Sequence, residues 1–320
     1  CAAWYSPQEI EKIFLSEDFK IWAQGTLQEK YVYYLREKEL NPSLINLKVS
    51  TDTIWETSLP TNLISPTAMD YGLMEYLAPA TAIAKNNFDS LFIPFRCVAS
   101  DIIKKEPFVF KKGQLSTAIR ASMSYPFYLS PVSYEDMLLF DGGLYNNFPS
   151  DIMYEDFLPD FIIGSNVSSN FEKPKEDNIV SQVKAIIADD THYSIDCNNS
   201  IIIEPPSQDY SLFDFEKNAE LIEIGYQATL KHIPEILEAI NRNDSNDSND
   251  SNDVSFKRAA FRSQIPPLIF NQLNISGLNK NQNKYIEKSI RFKKDTLSVG
   301  KLKPEYIKIS SDDKIKSLYP

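Results

Sequence analysis

The sequence contains few residues of the types on which several common kinds of functional site depend. Its 320 residues include two histidines and three cysteines, and the cysteines, at positions 1, 97 and 197, lack the close spacing of a metal site. Three cysteines are also too few for a disulfide framework. Two histidines leave little material for a histidine-based metal site or for a Ser-His-Asp triad. Neither kind of centre is therefore expected.

Basic residues are also in short supply. Lysine and arginine number 33 against 44 aspartates and glutamates, which gives a formal net charge of -11. Nucleic-acid binding is not expected, because neutralising phosphates requires a basic face. No apolar run approaches the roughly 20 residues that span a bilayer. Hydrophobic residues nevertheless make up 42% of the chain, enough to bury a sizeable core.

A tract without apolar side chains divides the chain. Residues 243–253 repeat the triplet Asn-Asp-Ser, and such a composition cannot offset the entropy lost on ordering. A calcium loop would require a glycine and a closing glutamate, and both are missing. We therefore predict a disordered linker over residues 241–263, between a large unit at 1–240 and a small one at 264–320.

The large unit alternates apolar runs with amphipathic segments, which is typical of an α/β domain. Ser6 and Glu9 form the pattern of a helix capping box. Near-continuous apolar runs predict buried strands, at residues 91–99, 137–140 and 161–164. Residues 215–240 carry apolar side chains at three- and four-residue steps, which predicts a helix facing the core, with a kink at Pro234.

The candidate chemistry lies at Asp141, Gly142 and Gly143, directly after the apolar run at 137–140. Open α/β sheets bind ligands at the carboxyl ends of their strands, where this carboxylate would lie. The two glycines permit a close approach of backbone to a ligand. An Asp-Gly turn between two strands has the same local sequence, so the motif alone leaves both interpretations open.

Residues 118–126, 131–132 and 141–149 together closely resemble the patatin-like phospholipase family. Similar landmarks stand at residues 59–65, 94–101 and 214–226. The resemblance implies a three-layer α/β hydrolase domain over residues 1–240, with a mainly parallel sheet flanked by helices. It also implies a Ser-Asp dyad, with Asp141 as general base, Gly142 and Gly143 as motif residues, and no cofactor or metal. Arg120 and Ser122 are expected to be structural.

The sequence departs from the family at the nucleophile. A Gly-X-Ser-X-Gly elbow and a glycine-rich oxyanion loop are expected, yet none of the nine glycines stands in either pattern. Ser165 follows Gly164 but comes after the Asp motif, not before it. Residues 1–7 resemble the segment that closes the nucleophile helix. We therefore expect the serine to lie upstream of Cys1, and this chain alone to be inactive.

The small unit has the pattern of a strand, a glycine and two short helices, and it resembles the start of a polypeptide-transport-associated (POTRA) domain. Some bacterial patatin-like proteins continue into such a domain and then into an outer-membrane β-barrel, and this chain resembles them. The resemblance implies a lipid acyl hydrolase of the bacterial cell envelope, at the outer membrane or secreted, that acts on phospholipids or other acyl-ester lipids at a membrane surface. The alternative is a catalytically dead patatin-like module that acts in outer-membrane assembly or protein interaction.

Overall fold

A computed structural model of the chain describes its fold in several stretches. The described residues are 1–26, 62–168, 199–243, 251–270, 278–290 and 297–310, together with short stretches and single positions between 174 and 197, and residues 318 and 320. Ten helices are described: α1 (Pro7–Phe14), α2 (Glu17–Gln24), α3 (Thr67–Ile83), α4 (Leu115–Ser122), α5 (Ser150–Phe157), α6 (Asn218–Leu230), α7 (Ile233–Asn243), α8 (Ser251–Arg262), α9 (Lys280–Ser289) and α10 (Val299–Ser310). Eight strands are described: β1 (Cys97–Asp101), β2 (Glu106–Phe110), β3 (Val132–Tyr134), β4 (Met137–Asp141), β5 (Ile162–Ser165), β6 (Ser200–Ile203), β7 (Ile269–Phe270) and β8 (Leu297–Ser298).

The first four strands form one sheet in the order β2-β1-β4-β3, and every neighbouring pair is antiparallel. The expected mainly parallel sheet is therefore wrong for the described residues. Short turns join β1 to β2 and β3 to β4, and a short turn can connect only antiparallel neighbours, whereas a parallel pair needs a long crossover. Parallel pairing occurs between β5 and β6 in a separate two-stranded sheet.

The main core lies between the four-stranded sheet, α4 and the end of α3. The largest side chains completely enclosed in it are Phe88, Phe110, Leu115, Val132 and Leu139. All five residues of β1 are buried, which agrees with the near-continuous apolar run predicted there. This burial holds the middle of the sheet, and with it the end of β4, in one position.

The predicted strands are confirmed in two places and shortened in the third. β4 and β5 fall within one residue of the expected 137–140 and 161–164. The expected burial of both faces is wrong for β5, because Ile163 is exposed. The expected strand at 91–99 is wrong over its first six residues, because a 3-10 turn at Phe88–Ser90 precedes them and Pro94 lacks the N–H that a sheet ladder requires. Pairing begins at Cys97.

The N-terminal helix begins as its sequence indicates. The Ser6 hydroxyl accepts a hydrogen bond of 3.2 Å from the Glu9 backbone N–H, and the Glu9 carboxylate accepts one of 2.8 Å from the Ser6 N–H. The predicted capping box is confirmed.

The helical prediction for 215–240 is also confirmed, with a break at Lys231 and His232 and with Pro234 as the second residue of α7. The interpretation of its apolar stripe as core is wrong. Tyr226, Leu230 and Leu237 are exposed, and α6 and α7 bury only Ala228 and Ile236 among the residues whose burial is described. Helical periodicity reveals an apolar face, but it does not reveal whether another element covers that face.

The predicted linker is helical where the structure describes it. α7 continues to Asn243 and α8 spans Ser251–Arg262, while residues 244–250 lie outside the described part. Arg262 forms an ion pair of 2.6 Å with Glu9, and the Phe261 ring lies 5.9 Å from that of Trp4. The last turn of α8 therefore packs on the N-terminal residues. These contacts hold a helix where the composition predicted disorder.

The C-terminal residues pack against α3. The completely buried Tyr71 donates a hydrogen bond of 2.5 Å to the Val299 carbonyl, and its ring lies 5.2 Å from that of Tyr306. The described elements run β7, α9, β8, α10, so a two-residue strand separates the two helices. The POTRA resemblance of residues 264–320 stays a prediction.

None of the described helices combines the length and the apolar character needed to cross a bilayer.

Candidate active site

The candidate base lies where β4 ends in the middle of the sheet. Met137 and Leu139 point into the core, and the strand ends at Asp141, opposite Ala99 of β1. The Gly143 N–H donates a hydrogen bond of 2.8 Å to Asp141 Oδ1, which caps a 3-10 turn over Gly142–Leu144. The three residues predicted from the sequence therefore stand together at one strand end.

The two glycines are required for different reasons. A Cβ added to Gly142 would lie 2.4 Å from the Val98 carbonyl oxygen, which is backbone of the neighbouring strand. A Cβ added to Gly143 would lie 2.7 Å from Asn147 Oδ1, at the end of a side chain that can move. Gly142 thus permits the close approach of the turn to β1, and Gly143 has more room.

Burial dominates the electrostatics of Asp141. It raises the pKa of the carboxyl to about 6, and the hydrogen bond from the Gly143 N–H opposes this rise. The structure shows one hydrogen bond to this carboxylate from the described residues, at Oδ1. Oδ2 is left to interact with a further donor, and a carboxyl with a pKa near neutrality suits transfer of a proton.

The buried thiol of Cys97 lies close enough to Asp141 for the carboxylate charge to affect its pKa. Burial raises the pKa of Cys97 to about 11; a hydrogen bond from Ser122 lowers it, and the Asp141 charge raises it further. The thiol donates a hydrogen bond of 3.4 Å to the Ala118 carbonyl. Cys97 is accordingly a protonated core residue, because a thiolate is disfavoured both by burial and by a neighbouring negative charge.

A buried ion pair between Asp70 and Arg120 helps to position the end of β4. The Arg120 Nε donates a hydrogen bond of 2.7 Å to Asp70 Oδ1, and both side chains are almost completely buried. Arg120 also donates to the Ser124 hydroxyl at 2.5 Å and to the Ser130 carbonyl at 3.0 Å. Burial raises the pKa of Asp70 to about 6, against the opposing effect of the Arg120 charge.

This network reaches the candidate base through Ser124. The Asp141 N–H donates a hydrogen bond of 3.1 Å to the Ser124 carbonyl. The structural role expected of Arg120 agrees with these contacts, whereas the sequence does not identify Asp70 and Ser124 as its partners. Ser124 lies four residues after Arg120, so a contact between them could have been predicted from the sequence. Asp70 lies 50 residues from Arg120, and no sequence pattern indicates that these two residues form a pair.

Polar side chains also collect beyond the turn. The Asn147 amide donates hydrogen bonds of 2.7 Å to the Ser168 hydroxyl and 3.0 Å to the Tyr193 hydroxyl. The backbone N–H of Asp189 donates a hydrogen bond of 2.8 Å to the Leu144 carbonyl. Residues 189–195 therefore lie beside the Asp-Gly-Gly turn. No pattern in the sequence predicts this proximity.

Two described serines contact the Asp-Gly-Gly turn, and both have structural partners. Ser124 is fully buried and exchanges hydrogen bonds with Arg120. Ser100, also fully buried, donates to the Gly142 carbonyl at 3.4 Å. Neither hydroxyl is hydrogen-bonded to the Asp141 carboxylate.

Histidine contributes nothing to this site. His192 is exposed in a loop, and His232 lies in the turn between α6 and α7, 3.8 Å from Glu235. Among the described residues, no cluster of histidine, cysteine and carboxylate side chains has the arrangement of a metal site.

Comparison with known proteins agrees with this location. Residues 1–154 match the family described as "Patatin-like phospholipase". An uncharacterized NTE family protein of Mycobacterium bovis is 40% identical over 62 residues, which are 19% of this chain and 11% of that protein. A patatin-like phospholipase domain-containing protein of Caenorhabditis elegans is 40% identical over 67 residues, 20% of this chain and 5% of that protein.

The chain thus spans only a small part of the length of these relatives. The family match ends at residue 154, so the expected extension to residue 240 stays a prediction. A domain of this family has an α/β hydrolase-like fold, in agreement with the helices and sheets described above. The Asp-Gly-Gly turn, the Asp70–Arg120 pair and the antiparallel sheet all lie within residues 1–154, the part of the chain that matches patatin-like phospholipases.

Proposed function

We propose that the intact protein hydrolyses carboxylic ester bonds of lipids, with Asp141 as the general base that activates a serine nucleophile. The observation that carries this proposal is the half-buried Asp141 at the strand end, held at Oδ1 by the Gly143 N–H, with a pKa raised to about 6. A base of this pKa takes up the serine proton and returns it to the leaving group near neutral pH. No cofactor enters such a reaction.

The serine is proposed to lie upstream of Cys1, in a Gly-X-Ser-X-Gly elbow. One observation supports this placement. Ser100 and Ser124, which each form a hydrogen bond with the Asp-Gly-Gly turn, are buried, and their hydroxyl groups are bonded to other partners. Attack by the serine would form an acyl-enzyme, which water then hydrolyses with Asp141 as the base.

The test is made on the protein that includes the sequence encoded before Cys1. Asp141→Asn is expected to reduce hydrolysis of a short acyl ester by at least about 10²-fold, because an amide cannot accept the serine proton. Asp136→Asn, an exposed aspartate in the β3–β4 turn, is the matched control and should keep wild-type turnover.

A fluorophosphonate probe provides the second measurement. It should label one serine upstream of Cys1 and none within residues 1–320. Absence of labelling, together with equal hydrolysis by wild type and Asp141→Asn, would reject the hydrolase and favour the non-catalytic module instead.

The cellular setting is a further proposal. We place the protein in the bacterial cell envelope, at the outer membrane or secreted, with residues 264–320 as a POTRA-like segment. The support is the order of β7, α9, β8 and α10, in which a strand precedes two helices that a two-residue strand separates. Fractionation of the native host tests the location, and recovery of the protein only with the cytoplasmic fraction would reject it.

A further inference from the structure

A cavity of about 680 Å³ lies where the end of α3, the end of β2 and the start of α4 meet. Its size falls in the range of small-ligand sites. Three of its nine lining residues are lysines, Lys85, Lys111 and Lys112, and Asp89, Gly113 and Gln114 also line it.

Backbone hydrogen bonds fix the two lysine-bearing segments side by side. The Phe88 N–H donates to the Lys111 carbonyl at 3.0 Å, and the Gly113 N–H donates to the Asn86 carbonyl at 2.8 Å. Lys85 and Asn86 both have left-handed backbone conformations, with φ of 51° and 62°, which are uncommon for lysine. The backbone that carries these lysines is therefore held in a defined conformation.

The charges around the cavity do not cancel. The carboxylate of Asp89 is paired with Arg96 at 2.6 Å, and the ammonium of Lys111 is paired with Asp156 at 2.6 Å. Arg96 also pairs with Asp156. The structure shows no acidic partner for Lys85 or Lys112 within the described residues. Two ammonium groups thus remain uncompensated in a chain whose formal net charge is -11.

The start of α4 lies beside the cavity, where its N-cap residue Gln114 is part of the lining. The N–H of the first helical residue, Leu115, is buried and already donates a hydrogen bond of 3.3 Å to the Thr81 hydroxyl. The lysines are therefore the principal attraction for an anion.

We propose that this cavity binds a phosphate group, carried either by a lipid headgroup or by a soluble phosphate ester. Lysine is an established phosphate-binding side chain that acts as a point charge, and a phosphate dianion matches the two unpaired ammonium groups in charge. The inference does not depend on the proposed hydrolase activity, because Asp141 does not line the cavity and the test measures binding alone.

The first arm of the test uses inorganic phosphate and residues 1–320, titrated by calorimetry. Lys85→Ala/Lys112→Ala should lower the affinity by about tenfold for each lysine, the usual size for a charge-assisted hydrogen bond. Lys12→Ala/Lys231→Ala is the matched control, because it removes two exposed lysines elsewhere and should leave the affinity unchanged. Melting temperatures should be equal in all three proteins.

The second arm identifies the source of the phosphate. Phosphatidylcholine vesicles that contain phosphatidic acid should sediment the wild type and not Lys85→Ala/Lys112→Ala if the site binds a lipid headgroup. Vesicles with phosphatidylserine at matched surface charge separate phosphate binding from general attraction. Binding of inorganic phosphate without vesicle binding would assign a soluble phosphate ester. The proposal would be overturned if Lys85→Ala/Lys112→Ala bound phosphate and vesicles as the wild type does. It would also be overturned if Lys12→Ala/Lys231→Ala lost as much affinity as Lys85→Ala/Lys112→Ala.

Discussion

The carbonyl of Ser124 accepts a hydrogen bond of 3.1 Å from the backbone N–H of Asp141. Ser124 is fully buried, and its hydroxyl accepts from Arg120 at 2.5 Å while donating to the Arg120 carbonyl at 2.7 Å. One residue therefore joins the Asp70–Arg120 ion pair to the backbone of the candidate base. The position of Asp141 depends on a buried charge pair that contributes no atom to the proposed reaction.

The first prediction concerns that pair. Arg120→Leu should lower the free energy of unfolding by about 3–5 kcal/mol, because it leaves the Asp70 carboxylate buried without its partner. The double variant Asp70→Leu/Arg120→Leu should be more stable than the single one, since no unpaired charge remains. Urea unfolding at neutral pH measures both values.

Arg262→Leu is the control for this prediction. Its ion pair with Glu9 has a similar N···O distance of 2.6 Å, but both side chains are about one-third exposed. The expected cost is about 0–1 kcal/mol. Equal losses for Arg120→Leu and Arg262→Leu would show that burial does not determine the contribution of the pair.

The second prediction concerns pH. Because the pKa of Asp141 is raised from 3.8 to about 6, the folded protein holds this proton more tightly than the unfolded chain does. Stability should therefore fall as pH rises from about 4 to about 6 and then stay level. Asp141→Asn removes this effect and should exceed wild type by on the order of 2 kcal/mol near pH 7.

The same comparison should vanish below pH about 4, where the wild-type carboxyl is protonated in both states. Asp70 has a raised pKa as well, but it is present in both proteins and its contribution cancels. Thermal melts of wild type and Asp141→Asn across this pH range make the measurement. A constant difference at every pH would contradict the prediction.

The third prediction separates the two motif glycines. Gly142→Ala should destabilise the fold by about 1–3 kcal/mol, because its Cβ would lie 2.4 Å from the Val98 carbonyl oxygen and backbone must move. Gly143→Ala should cost less, since the nearest atom belongs to the Asn147 side chain.

Gly225→Ala is the reference for these substitutions. It lies within α6 and has nothing within 4 Å of its added Cβ. Alanine should stabilise that helix by about 0.5–1 kcal/mol. Chemical denaturation of the three variants should rank them Gly225→Ala, Gly143→Ala, Gly142→Ala in decreasing stability, and any other order would count against the steric argument.

The fourth prediction concerns the contact of the C-terminal residues with α3. Tyr71→Phe removes a buried hydrogen bond to the Val299 carbonyl, at a cost of about 0.5–1.5 kcal/mol. Hydrogen exchange of α10 should accelerate. Tyr76→Phe, on the same helix, is the control and should leave α10 protected; equal protection in the two variants would show that the Tyr71 hydroxyl does not hold α10.

Local features were predictable from the sequence because neighbouring residues create them. The capping box at Ser6 needs only Glu9, three residues further along. The turn after β4 needs only Asp141 and the following glycines, whose backbone the carboxylate itself caps. The apolar runs at 137–140 and 161–164 identified two strands, although only alternate residues of β5 are buried.

Exposure and partner choice could not be predicted in this way. The apolar stripe of α6 and α7 has the period of a core helix, yet Tyr226 and Leu237 are exposed. Likewise, the polar tract predicted disorder over 241–263, yet the Arg262–Glu9 pair and the Phe261–Trp4 contact hold the end of α8. These outcomes depend on which surface another part of the chain covers.

The sequence by itself determined that an aspartate follows a buried strand, that two glycines allow the turn, and that the chain resembles patatin-like phospholipases. Only the tertiary structure decided that the sheet around that strand is antiparallel, that Asp70 and Ser124 are linked through Arg120 to the backbone of Asp141, and that Lys85 and Lys112 line one cavity. The physical reason is separation along the chain. Residues tens of positions apart, such as Asp70 and Arg120, come together only when the core closes, and no local pattern records that meeting.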